Sequence, residues 1–423
     1  MPEYSLHDPI RCESQDTLER RYLAKRIFAR LVNDACPGVI GIYGGWGTGK
    51  TSLLNLIQER WQNSGDKTIR IDYVDAWNYD TTGNLLIPVI VQLKQLSGDE
   101  KFLPQSWKTS IRRVLAVTTL SLAGLMLSKS PIQLGDIRAV WEDIEKRDKD
   151  DSSNILLGWE TLTDTIRETQ VAFQEVVKAV LKEQQCDRLV LCIDNLDRCS
   201  PDHAVNVLES VKNFFSIPCC VWVFAMDSEV VASYISHKYE GTKMDGNSYL
   251  DKIIPEQYHL SFYPEENDRR VFGLISDVVG GDLSLRDEKR LPQLPHVMVP
   301  RRLKKSAGKF AEYFDGSNPD ADSDTIFLMS LLYHAWPEFY ERLSSPSLRH
   351  VGEILANFFK THQAEDPIWK WGDYVPSSLD PKFTEDPDLK YFLQVAFPNY
   401  RDCSDAAREV HRAVNGLRQI GLP

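Results

Sequence analysis

The run Gly44-Gly45-Trp46-Gly47-Thr48-Gly49-Lys50-Thr51 carries the most chemistry per residue in this chain. It fits the spacing G-x-x-x-x-G-K-[ST], a loop that cradles phosphate. Glycines permit backbone angles and close approaches that a Cβ would block. The loop N–H groups can then turn inward on an anion, and the N-terminus of the following helix adds its dipole. In this reading Gly44, Gly45, Trp46, Gly47, Thr48, Gly49 and Ser52 surround the phosphates. Lys50 reaches the β- and γ-phosphates, and the Thr51 hydroxyl ligates Mg²⁺. The competing readings are a glycine-rich turn with no ligand and a dinucleotide-binding loop. The latter fits less well, because Gly45-x-Gly47-x-Gly49 lacks the G-x-G-x-x-G spacing and leaves Lys50-Thr51 without a purpose.

Such a loop needs an acid to hold the Mg²⁺ shell, and that acid commonly ends a neighbouring buried strand. Asp194 stands there, after Leu189-Val190-Leu191-Cys192-Ile193. The alternative for Asp194 is a cap of the next helix. Asp197 lies further along the same loop. Asp227 ends a further apolar run, where it could reach the γ-phosphate through water or cap the helix beginning Ser228-Glu229-Val230-Val231.

These residues need a scaffold, and the hydrophobic pattern predicts one. Val39–Tyr43, Thr68–Asp75, Arg188–Ile193 and Cys219–Met226 have the character of strands. Helices are expected over 14–35, from Ser52 onward with Leu53, Leu54, Ile57 and Trp61 on one face, and over 85–96, 170–184 and 204–215. Strands alternating with helices, several apolar throughout, predict an α/β fold with a parallel central sheet. From about residue 267 the strand signal ends, and helices interrupted by Pro and Gly follow.

Composition narrows the functional classes. The 423 residues allow two or three domains, and a net charge of −12 argues against a globally basic nucleic-acid binder. Cys12, Cys36, Cys186, Cys192, Cys199, Cys219, Cys220 and Cys403 form no C-x-x-C pair, so no zinc framework is expected, and they read as reduced thiols of a cytoplasmic protein. The N-terminus has no signal-peptide pattern. The uncharged stretch Val114–Leu127 is shorter than the roughly 20 residues a spanning helix needs, and Pro131 follows it, so a buried or interfacial helix is expected and no membrane span.

Several motifs also resemble, in order, those of the KAP family of P-loop NTPases. The stretch from Gly41 to Leu54 is similar to that family's phosphate loop, tryptophan included. Val74-Asp75-Ala76-Trp77-Asn78-Tyr79 is similar to its motif after the second strand. Asp194-Asn195-Leu196-Asp197-Arg198-Cys199-Ser200-Pro201 resembles its D-D-L-D-R-C-x-P signature, Tyr249–Ile254 its Y-L-E-K-I-I element, and Val299–Lys304 its N-P-R-x-x-K element.

The resemblance implies a three-layer P-loop NTPase sandwich with the acid strand next but one to the loop strand, followed by an all-helical lid and C-terminal region. The domains would be 1–266, with a mostly helical insertion at about 98–158, and 267–423. It further implies ATP and Mg²⁺ as ligands, hydrolysis to ADP and phosphate, and a regulatory switch, with phage defence among the family's roles. Arg301 becomes the candidate for a lid arginine that senses the γ-phosphate; otherwise Arg301-Arg302-Leu303-Lys304-Lys305 is a solvated basic face. Arg198 is a second candidate. This chain departs from the pattern at Asn195, which stands where the family has a second acid. An amide orients water but takes no proton; phosphoryl transfer rests mainly on positioning and electrostatics, so turnover need not be lost, and Asp197 could substitute as the base if the loop turns it inward. The alternative is a nucleotide-gated scaffold with little or no hydrolysis. A protein partner or self-association is expected in either case.

Overall fold

A computed structural model describes, with short gaps, residues 8–82, 170–260, 269–279, 291–316, 322–359, 378–397 and 403–422, together with a few positions between 89 and 96. The expected insertion and Val114–Leu127 lie outside these residues. The chain forms two compact units. One comprises Arg21–Trp46 and Lys50–Leu260; the other comprises Met1–Arg20, Gly47–Gly49 and Ser261–Pro423.

The first unit is built on a five-stranded sheet. Its strands are β1 (Val39–Tyr43), β2 (Ile69–Asp75), β3 (Arg188–Asp194), β4 (Cys220–Met226) and β5 (Glu256–His259), in the order β2-β3-β4-β1-β5. Every pairing is parallel. The acid strand β3 is therefore next but one to the loop strand β1. Helices on the sheet let both faces be buried, which is why β3 and β4 are apolar almost throughout rather than alternating. Leu189, Leu191 and Ile193 of β3 join Trp222 and Phe224 of β4 in one core, and Val190, Cys192, Val221 and Val223 are buried on the opposite face.

Helix α1 covers Arg21–Val32 and α2 covers Lys50–Ser64. The expected helix over 14–35 is therefore shorter at its start. Glu13–Gln15 form a separate 3₁₀ turn, and Glu19 has φ of 56°, a left-handed geometry that a continuous α-helix excludes. After β2 the chain makes a 3₁₀ stretch over Ala76–Thr82. Helix α3 (Pro201–Phe214) links β3 to β4, α4 (Ser228–Lys238) follows β4, and α5 (Gly246–Ile253) leads to β5. Strand β5 is a short polar edge strand, Glu-Gln-Tyr-His, whose pattern carries no hydrophobic signal.

The second unit is helical among its described residues. Helices α6 (Arg269–Val279), α7 (Pro300–Gly316), α8 (Ser323–Ala335), α9 (Pro337–Leu343), α10 (Leu348–Phe359), α11 (Pro381–Thr384), α12 (Pro387–Ala396) and α13 (Cys403–Gln419) share one apolar core. Phe310, Phe327, Phe339, Tyr340 and Phe392 are fully buried in it. Helix α8 is buried on nearly all sides, whereas α13 turns only one stripe inward. Prolines open α7, α9, α11 and α12, where a missing N–H costs nothing. Among the described residues, no helix is long and apolar enough to cross a membrane.

Candidate phosphate-binding site

The loop is positioned by the sheet. Tyr43, the last residue of β1, pairs with Met226 at the end of β4, and the Gly44 N–H donates to the Met226 carbonyl at 3.2 Å. Beyond that point the backbone turns sharply. Gly47 has φ of 87° and Gly49 φ of 99°, angles at which a side chain is strained. A Cβ on Gly47 would also meet the Arg301 Cβ at 2.8 Å and Val299 Cγ1 at 3.1 Å; all three residues belong to the helical unit. Lys50, Thr51 and Ser52 then open α2, which presents its N-terminus to the loop. Trp46 is exposed, and Thr48 and Ser52 are half-buried.

Lys50 is buried and bends back over the loop. Its Nζ donates to the Gly44 carbonyl at 2.8 Å and the Gly45 carbonyl at 3.4 Å. It also lies 3.7 Å from Asp197 Oδ2. The other Asp197 oxygen, Oδ1, is buried without a hydrogen-bond partner among the described residues.

Asp194 is fully buried at the end of β3, opposite Asp75 of β2 and Ala225 of β4. Its Oδ2 accepts from the Thr51 hydroxyl at 2.6 Å and from the Tyr73 hydroxyl at 3.0 Å. Its Oδ1 accepts from the Asn195 N–H at 2.8 Å. Burial pushes the Asp194 carboxyl above its ordinary range, while these three donors and the Lys50 charge act in the opposite direction. The Tyr73 hydroxyl is pushed up by burial and by the Asp194 charge, so it remains a donor at neutral pH. A hydroxyl and a carboxylate side by side, both hard oxygens, fit Mg²⁺. Tyr73 was not legible in the sequence, since strand alternation gives it a face but not the neighbour across the sheet.

Asn195 has φ of 62°, a left-handed conformation that Asn tolerates better than most residues. This lets the chain turn from β3 into a 3₁₀ turn, Leu196–Arg198. The Arg198 guanidinium lies over the rings of Trp46, at 5.8 Å, and Trp77, at 5.5 Å. Asp227 is the N-cap of α4, accepting from the Glu229 and Val230 N–H groups, so of its two readings the structure shows the cap. In the run Arg301–Lys305 only Lys305 is exposed among the basic residues. Arg301 sits in the first turn of α7, and burial lowers the Arg302 and Lys304 side chains from their ordinary values.

Comparison with known proteins agrees with this geometry. Residues 21–268 match the KAP family P-loop domain. The chain is 26% identical over 241 residues to the phage T7 exclusion protein of Escherichia coli strain K12, an alignment covering 55% of this chain and 31% of that protein. It is also 27% identical over 108 residues to the kinase D-interacting substrate of 220 kDa of Rattus norvegicus and, equally, of Homo sapiens. Each of those matches covers 25% of this chain and 6% of the relative. The chain thus spans less than a third of the length of these relatives. A family match over more than half of its residues, on a parallel sheet with a phosphate loop and an acid strand in register, places this chain in the KAP family of P-loop NTPases.

Proposed function

We propose that the chain binds Mg·ATP and hydrolyses it to ADP and phosphate, as a regulatory switch acting in the cytoplasm in defence against bacteriophage. The observation that carries the chemistry is the Thr51 hydroxyl on the buried Asp194 carboxylate, beside a Lys50 ammonium that acts on Asp194 and pairs with Asp197. Thr51 and Asp194 would hold the Mg²⁺, which when bound would supply positive charge to offset that of the phosphates. The loop from Gly44 to Ser52 would hold the phosphates through its N–H groups, and Lys50 would exchange its loop carbonyls for phosphate oxygens. Tyr73 and the Asn195 N–H keep the Asp194 oxygens aimed. Asp197 would take a proton from the attacking water as its oxygen bonds to the γ-phosphorus and the bond to the ADP oxygen breaks. Its buried, unpartnered Oδ1 supports that role. Arg301, on the first turn of α7, would sense the γ-phosphate. The defence role rests on the likeness to the phage T7 exclusion protein, and a protein partner or self-association would receive the signal.

Asn195 favours a second reading, a scaffold that binds ATP and scarcely hydrolyses it, because an amide replaces the family's acid there. Steady-state phosphate release from Mg·ATP, measured together with nucleotide affinity for the wild type and Lys50→Ala, separates the two. Turnover that Lys50→Ala abolishes supports the ATPase; tight binding without turnover supports the scaffold; failure to bind Mg·ATP refutes both.

A further inference from the structure

Three side chains that play no part in the proposed phosphate chemistry meet behind the acid loop. Asp80 belongs to the 3₁₀ stretch after β2, Cys199 follows the 3₁₀ turn after β3, and His203 lies in the first turn of α3. One ligand atom from each lies within 4.8 Å of the others. His203 is 2% exposed, yet among the described residues neither ring nitrogen has a hydrogen-bond partner. A buried imidazole without a partner is costly, and a native structure normally supplies one. Cys199 is 3% exposed. Both bonds from Ser200, its N–H at 2.9 Å and its hydroxyl at 3.0 Å, go to Asp80 Oδ1. They fix the carboxylate through Oδ1, and no hydrogen bond to Oδ2 is seen among the described residues.

We propose that Asp80, Cys199 and His203 bind one zinc ion, which staples the segment after β2 to the loop after β3. A thiolate, an imidazole and a carboxylate form a zinc-type donor set, whereas Mg²⁺ prefers oxygen alone. Tetrahedral zinc places its ligand atoms roughly 3.4–3.7 Å apart, so side-chain rotations that close the triangle by at most about an ångström bring three ligands into place, and a water would take the fourth position. The Ser200 bonds would orient the carboxylate ligand from outside. On binding, the sulfur–zinc bond forms as the Cys199 S–H bond breaks, and the proton goes to solvent. A Cys–His–Asp nucleophile is the other chemistry these residue types suggest. Burial, followed by the charges of Asp80, Asp75 and Asp197, pushes the Cys199 thiol up to about 12, which keeps it protonated and unreactive. The ion would hold the short turn that carries Asp197 and Arg198, tying zinc occupancy to the geometry beside Lys50. The C-x-x-x-H spacing of Cys199 and His203 is visible in the sequence, but Asp80 joins them only through the pairing of β2 with β3.

The test is cobalt titration of the full chain after chelator treatment, without nucleotide and with excess Mg²⁺ present. One equivalent of Co²⁺ should give tetrahedral d–d absorption and a near-ultraviolet thiolate-to-cobalt band, both displaced by zinc. Cys199→Ser should lose the thiolate band. His203→Gln should weaken binding by more than the roughly 10–100-fold typical of losing an outer-shell partner. Absence of a thiolate band in the wild type overturns the proposal whether or not the variants fold. Persistence of the band in folded Cys199→Ser overturns it as well. Because no nucleotide is present, the outcome is independent of ATPase activity.

Discussion

Replacing Asp197 by Asn separates two roles that one carboxylate holds in this site. Asp197 Oδ2 lies 3.7 Å from Lys50 Nζ, and both side chains are about 9% exposed. At an effective dielectric near 20, two unit charges at that distance attract by about 4 kcal/mol. Bound phosphate would draw on the same ammonium, so in the wild type Asp197 competes with the nucleotide for Lys50. Lys50 also donates to the Gly44 and Gly45 carbonyls, so it remains partly satisfied when Asp197 is neutral, and only part of that energy is available to the ligand. If a third is recovered, about 1.4 kcal/mol, the affinity for Mg·ATP rises tenfold. The isosteric amide keeps the shape of the site but takes up no proton. If Asp197 is the base, turnover should therefore fall by roughly 10²–10⁴-fold while binding tightens. Titration calorimetry with Mg·ATP and steady-state phosphate release on the same preparation give both quantities. Nucleotide binding weakened more than threefold would refute the competition argument, because Asp197 would then be assisting the phosphate site. Unchanged turnover would remove Asp197 as the base.

Asn195→Asp restores an acid beside Asp194 in a residue type that also tolerates the left-handed backbone; phosphate release should rise, or stay constant if Asp197 already serves, whereas Asn195→Val should destabilise by about 1–2 kcal/mol in a denaturant titration. Arg301→Ala should leave Mg·ATP affinity within about threefold and weaken ATP-dependent protection of residues beyond 267 from limited proteolysis; unchanged protection would refute the sensing role. Asp194→Asn removes a buried charge. Because burial raises the Asp194 pKa, that group contributes stability below the carboxyl's ordinary range and loses it as pH rises through the folded-state value. The melting temperature of the metal-free wild type, taken relative to Asp194→Asn, which has no carboxyl to titrate, should therefore fall as pH rises from 4 toward 7, by roughly 2–4 °C for each kcal/mol lost. Scanning calorimetry across that range checks the sign.

The local elements of the site were legible because their signals are short-range. Glycine spacing, the strand before it and the Lys50-Thr51 pair define the phosphate loop within eight residues. The apolar run ending in Asp194 marks a buried strand with an acid at its tip. The helical second half was readable from the end of the strand signal near 267, and the KAP resemblance supplied the sheet order. The early break before α1 was missed because apolar periodicity continues across the left-handed Glu19, and β5 was missed because an edge strand of four polar residues buries too little to leave a pattern. Other features depend on residues far apart in the chain. Tyr73 reaches Asp194 because β2 pairs with β3 in a register that sets Asp75 against Asp194. Asp197 meets Lys50 only when the left-handed Asn195 turns the loop back toward α2. Asp80, Cys199 and His203 converge through the same pairing. Local sequence determined which residues could do chemistry, since backbone freedom, charge and hydrophobic period belong to neighbours in the chain; only the tertiary structure decided which of them meet, since strand register and loop direction depend on the burial of the whole sheet.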